Sequence, residues 1–181
     1  MYDVIIICAG PAGLNSAQQA GKLGARTALV TKGYVGGMAA TDGPVPVRTL
    51  AHAARLVREA QQLERYGISS TSPQVNYSKL LERVREVVVE VYDKVSHVDE
   101  LEALDVAVYE NVGAAHFLDP HTFAADGVEL RGEKIIICAG GHSRPLPSPG
   151  FDLTATHSDA WSLTEGPESM IVVGSGATGA Q

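Results

Sequence analysis

The feature that most constrains this chain is its opening. A continuous β-branched run, Val4-Ile5-Ile6-Ile7, gives way to Gly10-Pro11-Ala12-Gly13 and then to small residues at helical spacing. Such an unbroken apolar run is the pattern of a strand buried on both faces of a parallel sheet. Glycines between strand and helix let the backbone approach a pyrophosphate closely, and the helix N-terminus offers free N–H groups to the anion. The helix is expected to run to about Leu23 and to close on Gly24. A second short strand follows over Thr27 to Thr31. Together these make a β-α-β unit of about 30 residues, the size of one half of a dinucleotide-binding fold. One glycine loop is weak evidence, because tight strand-to-helix turns also use glycine for steric reasons.

The rest of the chain strengthens it. Lys32 to Pro44 reads as a glycine-rich loop containing Gly36 and Gly37. A helix is expected to start at Pro46 and reach roughly Tyr66, with Val47, Leu50, Ala54, Val57 and Leu63 on one stripe. After the polar stretch Ser69 to Pro73, a second long helix is expected, capped by Asn76. Its stripe is Leu80, Leu81, Val84, Val87, Val88, Val91, Val95 and Val98, a helical period that overrides valine's strand preference. Val106 to Tyr109 reads as a strand, and Asp126-Gly127 as a hairpin turn between Thr122-Phe123-Ala124 and Val128-Glu129-Leu130. Ile135-Ile136-Ile137 repeats the buried-strand pattern and ends in Cys138-Ala139-Gly140-Gly141. A proline-rich linker, Pro145 to Pro149, marks a boundary. Met170 to Val173 is expected as a last buried strand, leading into Gly174-Ser175-Gly176-Ala177-Thr178-Gly179, a full G-x-G-x-x-G. The helix that should follow has almost no residues, so the chain is expected to be truncated, by proteolysis, gene damage or expression of a part.

Composition bounds the function. Hydrophobic residues make up 45% and charged residues 19%, an ordinary globular mixture. A formal charge of −7 argues against nonspecific binding to nucleic acid or an anionic membrane. No apolar run is long enough to span a bilayer, the first residues do not form a secretion signal, and the two cysteines do not make a disulfide scaffold. A cytoplasmic location is expected. The six histidines are scattered without carboxylates or cysteines at ligand spacing, so no metal site is expected. Charges on the two long helices read as solvated faces with some pairing one turn apart.

The order of these motifs resembles the pyridine nucleotide–disulfide oxidoreductase family, the group of dihydrolipoamide dehydrogenase and mercuric reductase, over essentially the whole chain. The first family segment is matched by Val4 to Leu14. The stretch G-G-x-C-x4-C-x-P-x-K is matched in frame by Gly36 to Arg48, and the NAD(P) fingerprint by Gly174 to Gly179. The resemblance implies a Rossmann-like, three-layer α/β fold with a parallel sheet, helices and an antiparallel β-meander. It implies an FAD-binding domain over residues 1–150, then a linker and the start of an NAD(P)-binding domain over residues 151–181. It further implies FAD, with NAD(P)H in a complete protein, and nucleotide cofactors as the small-molecule partners. Family members build their active site across a dimer of complete chains, so this piece alone is expected to be inactive.

Carried over by position, the resemblance places Gly10, Pro11, Ala12 and Gly13 against the FAD pyrophosphate. It places Thr31 and Lys32 at the adenosine ribose, Gly36 and Gly37 along the pyrophosphate and ribityl chain, and Ala115 at the adenine. Arg48 replaces a family lysine near the flavin ring, while Cys138, Ala139 and Gly140 close over the cofactor from a neighbouring strand. Gly174, Gly176 and Gly179 would line the nicotinamide nucleotide.

Four departures shape the chemistry. Where the family carries its redox-active cysteines, this chain has Ala39 and Pro44, which cannot form a thiolate or a disulfide. Hydride transfer from NAD(P)H to flavin, then on to a quinone, dye, oxygen or second nucleotide, is the chemistry that remains. Cys8 stands at the first glycine of the first fingerprint. Thr31 stands where a carboxylate normally holds the ribose, a change expected to cost about 1–2 kcal/mol of binding. Two alternatives stay open: a nucleotide-binding module that no longer takes flavin, and a structural remnant. Cys8 and Cys138 would end adjacent strands, as a replacement redox pair or as two small buried residues.

Overall fold

The computed structural model describes residues 1–95 and 98–180. In chain order the elements are β1 (Tyr2–Ile7), α1 (Pro11–Lys22), β2 (Thr27–Val30), α2 (Gly37–Thr41), α3 (Pro44–Gln62), α4 (Tyr77–Val95), α5 (Val98–Ala103), β3 (Ala107–Tyr109), β4 (His116–Asp119), β5 (Thr122–Ala125), β6 (Val128–Ile137) and α6 (Ala177–Ala180). They fall into two compact units, Met1–Thr41 with Tyr92–His142, and Asp42–Val91 with Ser143–Gln181.

In the first unit the strands form one mixed sheet in the order β3-β2-β1-β6-β5-β4. The pairs β1–β2, β2–β3 and β1–β6 are parallel, while β4–β5 and β5–β6 are antiparallel. Successive side chains of a strand point to opposite faces, so the isoleucines of β1 divide between two cores. Ile6 joins Leu29, Leu14 and Ala17 of α1, and Leu101 of α5. Ile5 joins Ala28, Val30, and Phe123 and Leu130 of the meander. Both isoleucines are fully buried, each stabilising the fold by about 1.5–3 kcal/mol. Helices, sheet and meander are thus the three layers expected. On the meander side the hydroxyls of Tyr2 and Tyr109 lie 2.8 Å apart. Burial first, then this contact, pushes Tyr2 up to about 12.

The meander is tied to the parallel sheet by one strand that pairs twice. The first half of β6 runs antiparallel to β5, from Ala125↔Val128 to Thr122↔Arg131. Its second half runs parallel to β1, from Tyr2↔Gly132 to Ile7↔Ile137. Gly132 sits at the changeover, where a Cβ would stand 2.8 Å from the Ile5 side chain. The Asp126-Gly127 turn forms as expected, with Gly127 at φ +72.

In the second unit α3 starts two residues earlier than expected, with Pro44 in its first turn, and gives way to a 3-10 turn over Leu63–Tyr66. The Asn76 side chain accepts the Lys79 N–H at 3.0 Å, so the expected cap of α4 is present. Leu81 and Val84 on α4 are buried, and Arg83 pairs with Glu86 and Glu90 at 2.9 Å on its solvated face. A 3-10 turn over His157–Ser162 is closed by a capping box between Thr156 and Asp159. The Thr156 N–H, then its hydroxyl, holds the Asp159 carboxyl below its usual range. Asp42 accepts from the Ser158 hydroxyl and the Trp161 indole N–H, both at 2.6 Å.

Several expectations need correction. Met170–Val173 is not a strand, and its four side chains are 58–91% exposed. A strand exists only through its pairing, and none of the described strands pairs with this segment. Ile136 and Ile137 are paired in the sheet but exposed, because the apolar run fixes a strand and not what covers it. Ala54 is exposed on its stripe, and the Lys32–Pro44 loop contains the short helix α2. The second long helix was expected to run through Val98; α4 ends at Val95 and α5 begins at Val98. The join at residues 96 and 97, and the Val95 side chain, lie outside the described residues. Among those residues, no helix is long and apolar enough to cross a membrane.

Candidate dinucleotide site

The chain leaves β1 through Cys8, Ala9 and Gly10 and enters α1 at Pro11. This is the topological switch of the sheet: β2 and β3 lie to one side of β1, and β6 to the other. In open α/β sheets the crevice beyond the carboxyl ends of strands at such a point is where ligands bind. The first intrahelical bond of α1 runs from the Leu14 N–H to the Gly10 carbonyl at 2.9 Å. The N–H groups of Ala12 and Gly13 therefore have no acceptor within the helix, and Pro11 has no N–H to lose. A Cβ on Gly10 would meet open space, whereas one on Gly13 would collide with the Cys8 carbonyl oxygen. Gly13 thus sets how closely helix and strand join, and Gly10 leaves the approach clear.

A second loop closes over the first. The Gly36 N–H donates to the Ala9 carbonyl at 2.8 Å, and a Cβ on Gly37 would stand 2.7 Å from the Gly10 Cα. Both glycines have positive φ, +109 and +60, a region costly to other residues. Glu110, just past β3, accepts the Val35 N–H at 2.7 Å, and the Asn111 N–H donates to the Gly33 carbonyl. Glu110 thereby fixes the covering loop. Sequence reading missed it, because a lone glutamate after a strand carries no signal of its partner. Tyr92 lies beside Gly36, and its hydroxyl is pushed upward first by burial, then by the negative charge of Glu110.

The neighbouring strand ends complete the rim. Thr31 is buried; its N–H donates to the Tyr109 carbonyl at 2.9 Å, and its own carbonyl accepts from Val112. Lys32 beside it is exposed. Cys138 donates its N–H to Ile7 at 2.8 Å, and the exposed Ala139 and Gly140 follow. Ala115 is exposed just before β4. Arg48 is exposed on α3 and, like Gly174, Gly176 and Gly179, belongs to the second unit.

The second glycine loop repeats the first atom for atom in three respects. A Cβ on Gly179 would collide with the Gly174 carbonyl oxygen, as one on Gly13 would with that of Cys8. The Ala180 N–H donates to the Gly176 carbonyl at 3.0 Å, matching Leu14 and Gly10. Gly174 has φ +120, and Cys8 has φ +81. Cys8 therefore occupies the first-glycine conformation of the fingerprint without being glycine, a strain of about 1–2 kcal/mol.

The arrangement suits a diphosphate. Its donors are backbone N–H groups at a helix N-terminus, worth about 0.3–1 kcal/mol per anionic group at an exposed site. Two glycines make a cradle that side chains would fill. Among the described residues no group of His, Cys, Asp and Glu could hold a metal ion. Ala39 lies on α2 and Pro44 on α3, and the chain's two cysteines stand elsewhere.

Comparison with known proteins agrees with this geometry. The family model described as pyridine nucleotide-disulphide oxidoreductase matches residues 2–181. A dihydrolipoyl dehydrogenase of Mycoplasma pneumoniae is 34% identical, covering 98% of this chain and 40% of that protein. A soluble pyridine nucleotide transhydrogenase of Mycobacterium bovis is 31% identical, covering 98% of this chain and 39% of its own length. Among solved structures, the HOCl-induced flavoprotein disulfide reductase RclA from Escherichia coli superposes with a TM-score of 0.71 at 27% identity. That match covers 91% of this chain and 34% of RclA. The chain thus spans about 40% of the length of the curated relatives it matches.

Proposed function

This chain belongs to the pyridine nucleotide–disulphide oxidoreductase family, and on that premise we propose that its first glycine loop holds the pyrophosphate of FAD. The observation that carries this reading is the cradle itself: Gly13 against Cys8, Gly37 against Gly10, and open space in front of Gly10. Ala12 and Gly13 donate to the diphosphate, and Glu110 keeps the covering loop closed. Thr31 and Lys32 face the adenosine ribose, and Ala115 the adenine. Cys138, Ala139 and Gly140 border the cofactor from β6, and Arg48 serves the flavin ring. Residues 1–150 form the FAD part; residues 151–181, with Gly174, Gly176 and Gly179, begin the NAD(P) part. Bound FAD supplies the acceptance of hydride from NAD(P)H and the onward passage of electrons.

With alanine and proline at positions 39 and 44, the onward acceptor is not a disulfide held there. A quinone, a dye, oxygen or a second nucleotide is the acceptor class proposed instead. The protein acts in the cytoplasm on nucleotide cofactors.

The reading is tested by titrating the chain into FAD and into FMN while following flavin fluorescence. FAD is expected to bind, with ADP competing, and FMN to bind far more weakly, because only FAD carries the pyrophosphate and adenosine. Equal binding of both flavins, or none of either, contradicts it. A second reading, a nucleotide module without flavin, is favoured by the strained Cys8 and by Thr31, and predicts ADP binding alone.

A further inference from the structure

Cys8 and Cys138 are the only cysteines of the chain, and both are free and half-buried. The register of β1 and β6 reaches Ile7↔Ile137, and the Cys138 N–H donates to the Ile7 carbonyl at 2.8 Å. The next residues along the two strands are Cys8 and Cys138. Adjacent strands lie about 4.8 Å apart, inside the window of about 4.4–6.8 Å between Cα atoms that a disulfide accepts. A second contact places them together independently. A Cβ on Gly13 would stand 3.0 Å from the Cys8 carbonyl carbon and 3.6 Å from the Cys138 Cβ, so one point of α1 touches both.

From this geometry we infer that Cys8 and Cys138 form an oxidation site, a dithiol that a peroxide closes into an intramolecular disulfide. One cysteine attacks a peroxide oxygen, breaking the O–O bond and becoming a sulfenic acid as the first water leaves. The other attacks that sulfur, forming the S–S bond and releasing the second water. Two thiols are oxidised by two electrons, and one hydrogen peroxide is reduced to two waters. The bridge joins the strand ends on either side of the glycine loop, so it acts on the shape of the candidate site. It is separate from positions 39 and 44, and it stands whether or not a dinucleotide binds.

The test treats the native full chain with hydrogen peroxide, then denatures it, alkylates it with N-ethylmaleimide and weighs it. A monomer lighter by two hydrogens, without maleimide and yielding a Cys8–Cys138 linked peptide, is expected. Dithiothreitol should then restore two alkylatable thiols. Cys8→Ser and Cys138→Ser are each expected to gain oxygen or to dimerise, without losing two hydrogens. Two alkylatable thiols persisting in the treated wild-type chain, oxygen adducts alone, or only intermolecular dimers would overturn the inference. So would equally fast closure in denaturant, since the fold would then not be what brings the thiols together.

Discussion

Replacing Gly13 with alanine is expected to destabilise the chain by about 3 kcal/mol and to abolish flavin retention. The added methyl would collide with the Cys8 carbonyl oxygen. That oxygen cannot readily retreat: the Cys8 N–H is bonded to the Val30 carbonyl at 2.6 Å, and its φ of +81 leaves little freedom. Relief has to come from moving α1 off the end of β1, which loosens Leu14 and Ala17 from the core with Ile6 and Leu29. The same movement turns the first-turn N–H groups away from the position proposed for the pyrophosphate. Gly10→Ala is the comparison, because a Cβ there meets nothing within 4 Å. Its denaturation midpoint is expected to stay close to that of the parent while that of Gly13→Ala falls. Equal midpoints for all three would show that helix and strand do not meet as described.

Phe123→Ala is expected to cost about 3–5 kcal/mol, the range for deleting a buried aromatic side chain. Phe123 is fully buried between the meander and the sheet, packed with Ile5, Ala28, Val30 and Leu130. Phe117 nearby meets it edge-on, with ring centroids 6.4 Å apart, but is itself 46% exposed. Phe117→Ala should therefore cost much less. Urea denaturation of the two variants checks the order; similar costs would mean that the meander does not form a packed layer.

The parts of the fold written in short-range patterns were legible. The β-branched run of β1, the glycines after it, the Asn76 cap and the Asp126-Gly127 turn each declare themselves within a few residues. Partners distant in sequence did not. Nothing in Val128 to Ile137 announces a single strand that pairs first with β5 and then with β1, because Gly132 has meaning only against Ile5. Glu110 was unreadable for the same reason, since its value lies in the Val35 N–H. Burial was misjudged where a run is apolar but uncovered, at Ile136, Ile137 and Met170–Val173. The glycine loop was expected from sequence, yet the closeness of Gly37 to Gly10, which turns a loop into a cradle, required the tertiary structure.

The most direct test of the central claim is an absorbance spectrum of the purified chain, taken before and after incubation with FAD and desalting. Retained flavin absorbance in stoichiometric amount is the predicted result. A colourless chain after desalting, from protein otherwise folded by circular dichroism, would contradict the claim that the loop at Gly10 holds FAD.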